Sequence, residues 1–304
     1  MKPAKFDYEK PRDLKQAVAL LVAGNGEAKI IAGGQSLGPI LNLRLAQPAL
    51  LVDVRGLTEL SGTTDERDAI VYGATTTHAA IEDGLVPDAA NGLLRKVARG
   101  IAYRAVRNRG TLGGSLAHAD PAADWLNVMV LLDATIQLHG RRGQRIVLAS
   151  ALVNGPLSTV LEPDEIVTAV RVPKLSVHAR WSYYKFNRKP GEFAEAIAAF
   201  VVDEERGVSR GVIGATAAAP FPITDARAFI GAFDQAKAAR AVSDAGFVPG
   251  SYEYQVHLAN TLANRFTLLM SQRPHRISSV VIASTPVACM KIVIIMEHLN
   301  MMIL

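Results

Sequence analysis

Thiol chemistry is nearly absent from this 304-residue chain, whose only cysteine is Cys289. One thiol builds no internal disulfide framework and cannot furnish the set of thiolates that Fe–S clusters and structural zinc sites take. Any redox centre is therefore organic or brought by a partner, and the scarcity suits a reducing cytoplasm. Dense blocks of like charge are missing too, so a nucleic-acid-binding stripe is poorly supported. The formal net charge of +5 is diffuse and fits an anionic cofactor, an acidic partner or plain solvation. The start, Met1-Lys-Pro-Ala-Lys-Phe-Asp-Tyr8, carries no apolar core of a leader, so secretion is not expected. Seven histidines show no H-x-x-x-H or H-E-x-x-H spacing, which argues against a metal site. A G-x-S-x-G elbow, a Walker A loop and a G-x-G-x-x-G fingerprint are likewise missing.

What is present is a soluble globular composition, 49% hydrophobic and 20% charged, with room for two or three domains. Asp13 with Gln16 reads as a capping box, followed by Leu14, Ala17, Val18, Leu21 and Val22 on one helical face. Strands are expected at 29–32, 50–54, 69–73, 134–138 and 165–172, with helices at 92–101 and 122–132 and a Thr77-capped helix. The alternation favours an α/β domain over residues 1–176, and the rhythm changes near 174–179. Strands at 180–187, 196–203 and 208–216, then helices around 224–233 and 252–270, suggest a small α+β domain over 177–272. Trp181, Tyr183 and Tyr184 lie on the first of these strands and read as core and surface residues rather than a base-stacking platform. Residues 273–304 form an atypical tail holding four of the seven methionines, and Lys291 interrupts its apolar run before the ~20 residues a membrane span needs.

Two glycine segments carry the chemistry. Ala32-Gly-Gly-Gln-Ser36 follows a buried strand, where glycines let backbone N–H groups converge on an anion and Gln35 and Ser36 add donors. Arg109-Gly-Thr-Leu-Gly-Gly-Ser115 repeats the arrangement and continues to Asp120 and Asp124, whose carboxylates suit a ribose diol or an adenine amino group. Asp120 suits capping of the next helix equally well. Two phosphate-type turns in one α/β domain match a long dinucleotide held between two lobes.

These residues, with His118-Ala-Asp-Pro-Ala-Ala-Asp124, resemble the FAD-binding medium subunit of molybdenum hydroxylases, the xanthine dehydrogenase and aerobic carbon monoxide dehydrogenase family. The similarity runs from Phe6-Asp-Tyr8 to about residue 270. It implies an α+β protein: a two-lobed FAD-binding domain of the vanillyl-alcohol oxidase and para-cresol methylhydroxylase type, then a small domain covering the flavin. By the resemblance, Ile30, Ile31, Ala32, Gly33, Gly34, Gln35, Ser36 and Leu37 would wrap the pyrophosphate. Thr111, Gly113, Gly114 and Ser115 would complete the phosphate and ribose contacts, with Asp120 beside them and Asp124 near the adenosine. Ile101 and Val167 match cofactor-lining positions, Lys185 a flavin-contacting lysine, and Phe193 an aromatic beside the isoalloxazine. FAD would be held non-covalently, with no catalytic residue in this chain. Electrons would come from 2Fe-2S clusters on a small subunit, reduced by a molybdenum-pterin large subunit, in a dimer of heterotrimers. The family's pattern varies at Gln35, Ser115 and Glu192, and ends after residue 272.

Two other functions fit the residues: a self-sufficient flavin oxidase of a small alcohol or amine, and a basic nucleotide-binding or scaffolding protein. Neither the substrate of the complex nor the acceptor (oxygen, quinone, NAD or a protein) is written in this chain.

Overall fold

The computed structural model describes residues 2–215 and 219–226. The helices expected at 252–270, most of the one at 224–233, Cys289 and the 273–304 tail lie outside those residues.

The chain opens with β1 (Asp7–Glu9), α1 (Leu14–Ala23), β2 (Ala28–Ile31), α2 (Leu37–Asn42) and β3 (Leu50–Asp53). The strands form a parallel sheet in the order β1-β3-β2. Asp13 Oδ1 accepts the Gln16 N–H at 2.7 Å while Gln16 Oε1 accepts that of Arg12 at 2.8 Å, which starts α1 where the capping pattern placed it. Ala17, Val18 and Leu21 then pack on Val52, Val54, Leu57 and Leu60. Val22, expected on the same face, is exposed, because it follows Leu21 by a single residue and so turns past the edge of the apolar stripe.

The second lobe begins with β4 (Thr63–Asp65) and β5 (Ala69–Gly73), then the helices α3 (His78–Glu82), α4 (Leu93–Arg99), α5 (Arg104–Arg107), α6 (Leu112–His118) and α7 (Asp124–Leu131). It ends with β6 (Thr135–Gly140), β7 (Gly143–Leu148), the small hairpin β8 (Val153–Gly155) with β9 (Ser158–Thr159), and β10 (Ile166–Pro173). Its five-stranded sheet runs β4-β5-β10-β6-β7 and every pairing is antiparallel. The alternating strand–helix order thus builds a parallel layer only in the first lobe; the second is antiparallel, and the whole is α+β. Between Val167 and Ala169 the β10–β6 register shifts, leaving Thr168 as a bulge whose carbonyl accepts the Ala74 N–H at 2.9 Å.

A third unit consists of β11 (Arg180–Phe186), β12 (Ala196–Asp203), β13 (Val208–Gly214) and β14 (Phe221–Ile223), an antiparallel sheet in that order. Every residue of β12 is buried, because its two flanks carry partner strands and α7 packs on β12 and β13. All eight residues of α7 are buried as well, so this helix reads as an apolar run rather than an amphipathic one. Within 174–179, where a boundary is expected, Ser176 is held in place: Asp203, fully buried, accepts the Ser176 N–H at 2.6 Å and the Ser176 hydroxyl at 2.7 Å.

Asp203→Ala strands the buried Ser176 N–H without an acceptor. It is expected to cost about 2 kcal/mol, read as a lower urea midpoint at unchanged slope.

Candidate functional site

The first glycine segment leaves the carboxyl end of β2. Gly34 has φ +70°, the left-handed region that glycine adopts without strain, and Gln35 Nε2 donates to the Gly33 carbonyl at 2.9 Å, closing the turn. Among the described residues no acceptor takes the backbone N–H of Ala32, Gly33, Gly34, Gln35, Ser36 or Leu37. A row of unspent N–H groups around a positive-φ glycine is an anion-binding concavity.

The second segment is built differently, which corrects the expectation that it repeats the first. Thr111 is the N-cap of α6, its Oγ1 accepting the Gly114 N–H at 3.1 Å, and Gly113 and Gly114 are helical. Three further backbone bonds tie the segment to the exit of β5: His78 N–H to the Gly110 carbonyl, Leu112 N–H to Thr76, and Gly113 N–H to Ala74, each 2.9 Å. Its glycines serve close approach, since a Cβ on Gly113 would sit 2.6 Å from Ala74 Cβ. Gly113 and Gly114 therefore have no free N–H to give a phosphate, and the hydroxyls of Thr111 and Ser115 are what the segment offers.

The two segments touch. A Cβ on Gly33 would fall on the Arg109 carbonyl and 2.8 Å from Gly110 Cα, so backbone meets backbone at a position only glycine permits.

Asp124 and Lys185, expected at separate ends of a cofactor, instead face each other. Lys185 Nζ donates to Asp124 Oδ2 at 2.9 Å and to the Gly100 carbonyl at 3.2 Å, and the Tyr183 hydroxyl donates to Asp124 Oδ1 at 2.7 Å. Burial raises the Asp124 carboxyl above its ordinary range against the opposing pull of Lys185 and Tyr183, while burial and the Asp124 charge push the Tyr183 phenol up. The expected adenosine contact of Asp124 and flavin contact of Lys185 thus fall at one point of the structure, an ion pair.

The other expected residues scatter around this seam. Ile101 is half-buried, and its carbonyl and that of Ala102 accept from Arg107 at 2.9 and 2.8 Å. Gly191 (φ +87°) presses on Ala102, carrying Phe193 to the surface at 61% exposure, which removes a core-packing role for that ring. Val167 is buried beside the Thr168 bulge, and Ile30 packs half-buried on the small lobe's core. Asp120 Oδ1 accepts the Ala122 N–H at 2.9 Å, a loop-shaping bond.

His78 and Tyr183 were not among the expected site residues, Tyr183 reading in the sequence as a core or surface residue of its strand. His78 Nδ1 accepts from the Trp125 indole at 3.0 Å, and burial, then the Arg107 charge, lowers its pKa to about 4. Its one sequence signal is its place after the Thr77 cap, whose hydroxyl accepts the Ala80 N–H.

A parallel lobe offering free N–H groups at its strand ends, pressed on an antiparallel lobe with hydroxyl donors, defines a two-lobed dinucleotide-holding protein. Residues 4–175 match the family described as the FAD binding domain in molybdopterin dehydrogenase, and the chain belongs to that family. It is 38% identical over 202 residues to the carbon monoxide dehydrogenase medium chain of Hydrogenophaga pseudoflava, covering 66% of this chain and 70% of that one. It is 33% identical to the nicotine 6-hydroxylase medium subunit of Paenarthrobacter nicotinovorans, covering 84% and 91%. Among solved structures, Hydrogenophaga pseudoflava carbon monoxide dehydrogenase lacking the Mo-pyranopterin moiety superposes with TM-score 0.77 at 32% identity, over 87% and 96% of the chains. Quinoline 2-oxidoreductase from Pseudomonas putida 86 gives 0.74 at 31%, over 88% and 98%.

The depressed pKa of His78 makes the unfolded state bind the extra proton between about pH 6.5 and pH 4. Its contribution is full above pH 6.5 and is lost as pH falls through that window, by up to about 3 kcal/mol. Urea midpoints across that range are expected to fall less steeply in His78→Gln. Lys185→Met leaves the Asp124 carboxylate buried without its cation and should cost about 3 kcal/mol at pH 7, a loss that shrinks at lower pH as Asp124 takes up a proton.

Proposed function

We propose that this chain is the FAD-carrying medium subunit of a molybdenum hydroxylase, receiving electrons from Fe–S clusters on a small subunit and passing them to an external acceptor. The observation that carries the reading is the row of free N–H groups on residues 32–37, pressed against the Arg109–Gly110 backbone. Six successive donors fit a diphosphate, and Gly33 lets the two segments close to contact beside them. FAD, when bound, supplies two-electron storage with one-electron release. The chain's own residues do the rest. Ala32 through Leu37 hold the diphosphate, the Thr111 and Ser115 hydroxyls serve its ribityl and ribose side, and Ile101 and Val167 line the apolar wall. Lys185 is the flavin-side cation; Asp124 and the Gly100 carbonyl fix its direction, and Tyr183 fixes Asp124. Phe193, exposed on its loop, meets the isoalloxazine face.

The finer parts of the proposal follow the relatives. The two lobes are of the vanillyl-alcohol oxidase and para-cresol methylhydroxylase type over 1–176, with a covering domain over 177–272. A molybdopterin large subunit reduces the clusters, the complex is a cytoplasmic dimer of heterotrimers, and one cysteine leaves this chain without cluster ligands of its own. Among the described residues no helix is long and apolar enough to cross a membrane. A self-sufficient oxidase is not favoured, since the residues gathered at the seam are binding groups rather than a poised base.

Purified full-length chain is expected to carry one FAD, lost in Gly33→Ala because the added Cβ collides with the Arg109 carbonyl. Nicotine, purines or aldehydes added to the isolated chain should leave the flavin oxidised, whereas reduced Fe–S partner should bleach it. Bleaching by substrate alone would overturn the subunit reading.

A further inference from the structure

The imidazole of His78 is fixed by its neighbours in every respect but one N–H. The side chain is buried at 5% exposure, and the Trp125 indole, which can only donate, donates to Nδ1 at 3.0 Å. In a neutral ring the proton therefore sits on Nε2, and burial together with the Arg107 charge keeps the ring neutral above about pH 4. No described acceptor takes that Nε2–H, although the atom is not sealed from solvent. That N–H is the one polar group of the ring left to a ligand or to water.

Its position supplies the use. A Cβ on Gly110 would lie 2.7 Å from Nε2, and Gly110 Cα lies 2.8 Å from where a Gly33 Cβ would sit. Gly110 is thus wedged between the imidazole edge and the first glycine turn. The imidazole edge and the turn that carries the free N–H groups of residues 32–37 thus share one neighbour, the side-chain-free Gly110.

We propose that His78 Nε2–H donates a hydrogen bond to the diphosphate of the bound dinucleotide. It is a neutral donor from the antiparallel lobe facing the backbone donors of the parallel one. The inference rests on the FAD reading above. It also explains why Trp125 sits where it does: the indole selects the tautomer that points the proton at the seam, so Trp125 is a positioning residue.

Two substitutions separate this role from a structural one. In His78→Asn the amide oxygen replaces Nδ1 and keeps the bond from Trp125, but the distal donor is gone. In His78→Gln the amide nitrogen reaches the Nε2 position, while the indole loses its acceptor. With apo full-length chain titrated with FAD, His78→Asn should weaken binding by about tenfold or more and His78→Gln by much less. The reverse order overturns the proposal. The unaltered chain gives a second readout independent of folding. Its His78 Nε2 nitrogen-15 resonance should shift on adding FAD or ADP, both of which carry the diphosphate, and not on adding riboflavin. Binding of FAD or ADP with no such shift, or an equal shift with riboflavin, overturns it. Absence of any FAD binding to the unaltered chain would instead sink the cofactor reading itself.

Discussion

The contact on which the site depends is a backbone laid on a backbone, Gly33 against Arg109 and Gly110. Two lobes of different construction meet there, and the parallel side tolerates no Cβ at the point of contact. The antiparallel side is rigid because its own N–H groups are spent: those of Leu112 and Gly113 pair with Thr76 and Ala74 after the strand, that of His78 with Gly110, and that of Gly114 with the Thr111 cap. The parallel side is left with its donors free, because the N–H groups at the start of a helix have no carbonyl one turn earlier to bond. The two glycine segments look alike in sequence yet divide the work, one holding the fold and the other presenting donors.

The third unit is registered on this frame through α7. Its first residue, Asp124, sits at the positive end of the helix and receives Tyr183 and Lys185 from β11. A buried pair of this kind contributes little net stability once desolvation is counted, but a mispaired alternative would leave a charge uncompensated. Its effect is to fix where β11 lies on the second lobe. The same bond aims the one lysine that the family resemblance places near the flavin.

Much of this frame is legible in the residues. Ala69–Gly73 and Ala196–Asp203 read directly, because β-branched and small apolar residues run uninterrupted between turn formers. The Asp13 and Thr77 caps read directly too, since a cap is local chemistry. Asp7–Glu9, Thr63–Asp65 and Gly143–Leu148 do not, because edge strands expose most of their residues and lose the alternation that marks a half-buried one. The site shows the same division. The free N–H row follows from Gly-Gly after a strand, a short-range fact. The helical state of Gly113 and Gly114 depends on Ala74, and the Asp124–Lys185 pair on a contact across 61 residues, which no local pattern carries.

The character of the donors explains how such a site can bind a dianion in a chain whose basic charge is spread thin. Several cations of the described residues are already engaged: Arg107 with Glu82, Lys185 with Asp124, and Arg55 with Asp53. The groups proposed to face the diphosphate are neutral: backbone N–H groups, the hydroxyls of Thr111 and Ser115, and an imidazole held unprotonated by its burial. Fixed dipoles of this kind stabilise a diphosphate without a dedicated cation. The formal +5 of the chain is therefore not the signature of its ligand. The binding capacity lies in geometry that only glycine allows, and a charge count could not have disclosed it.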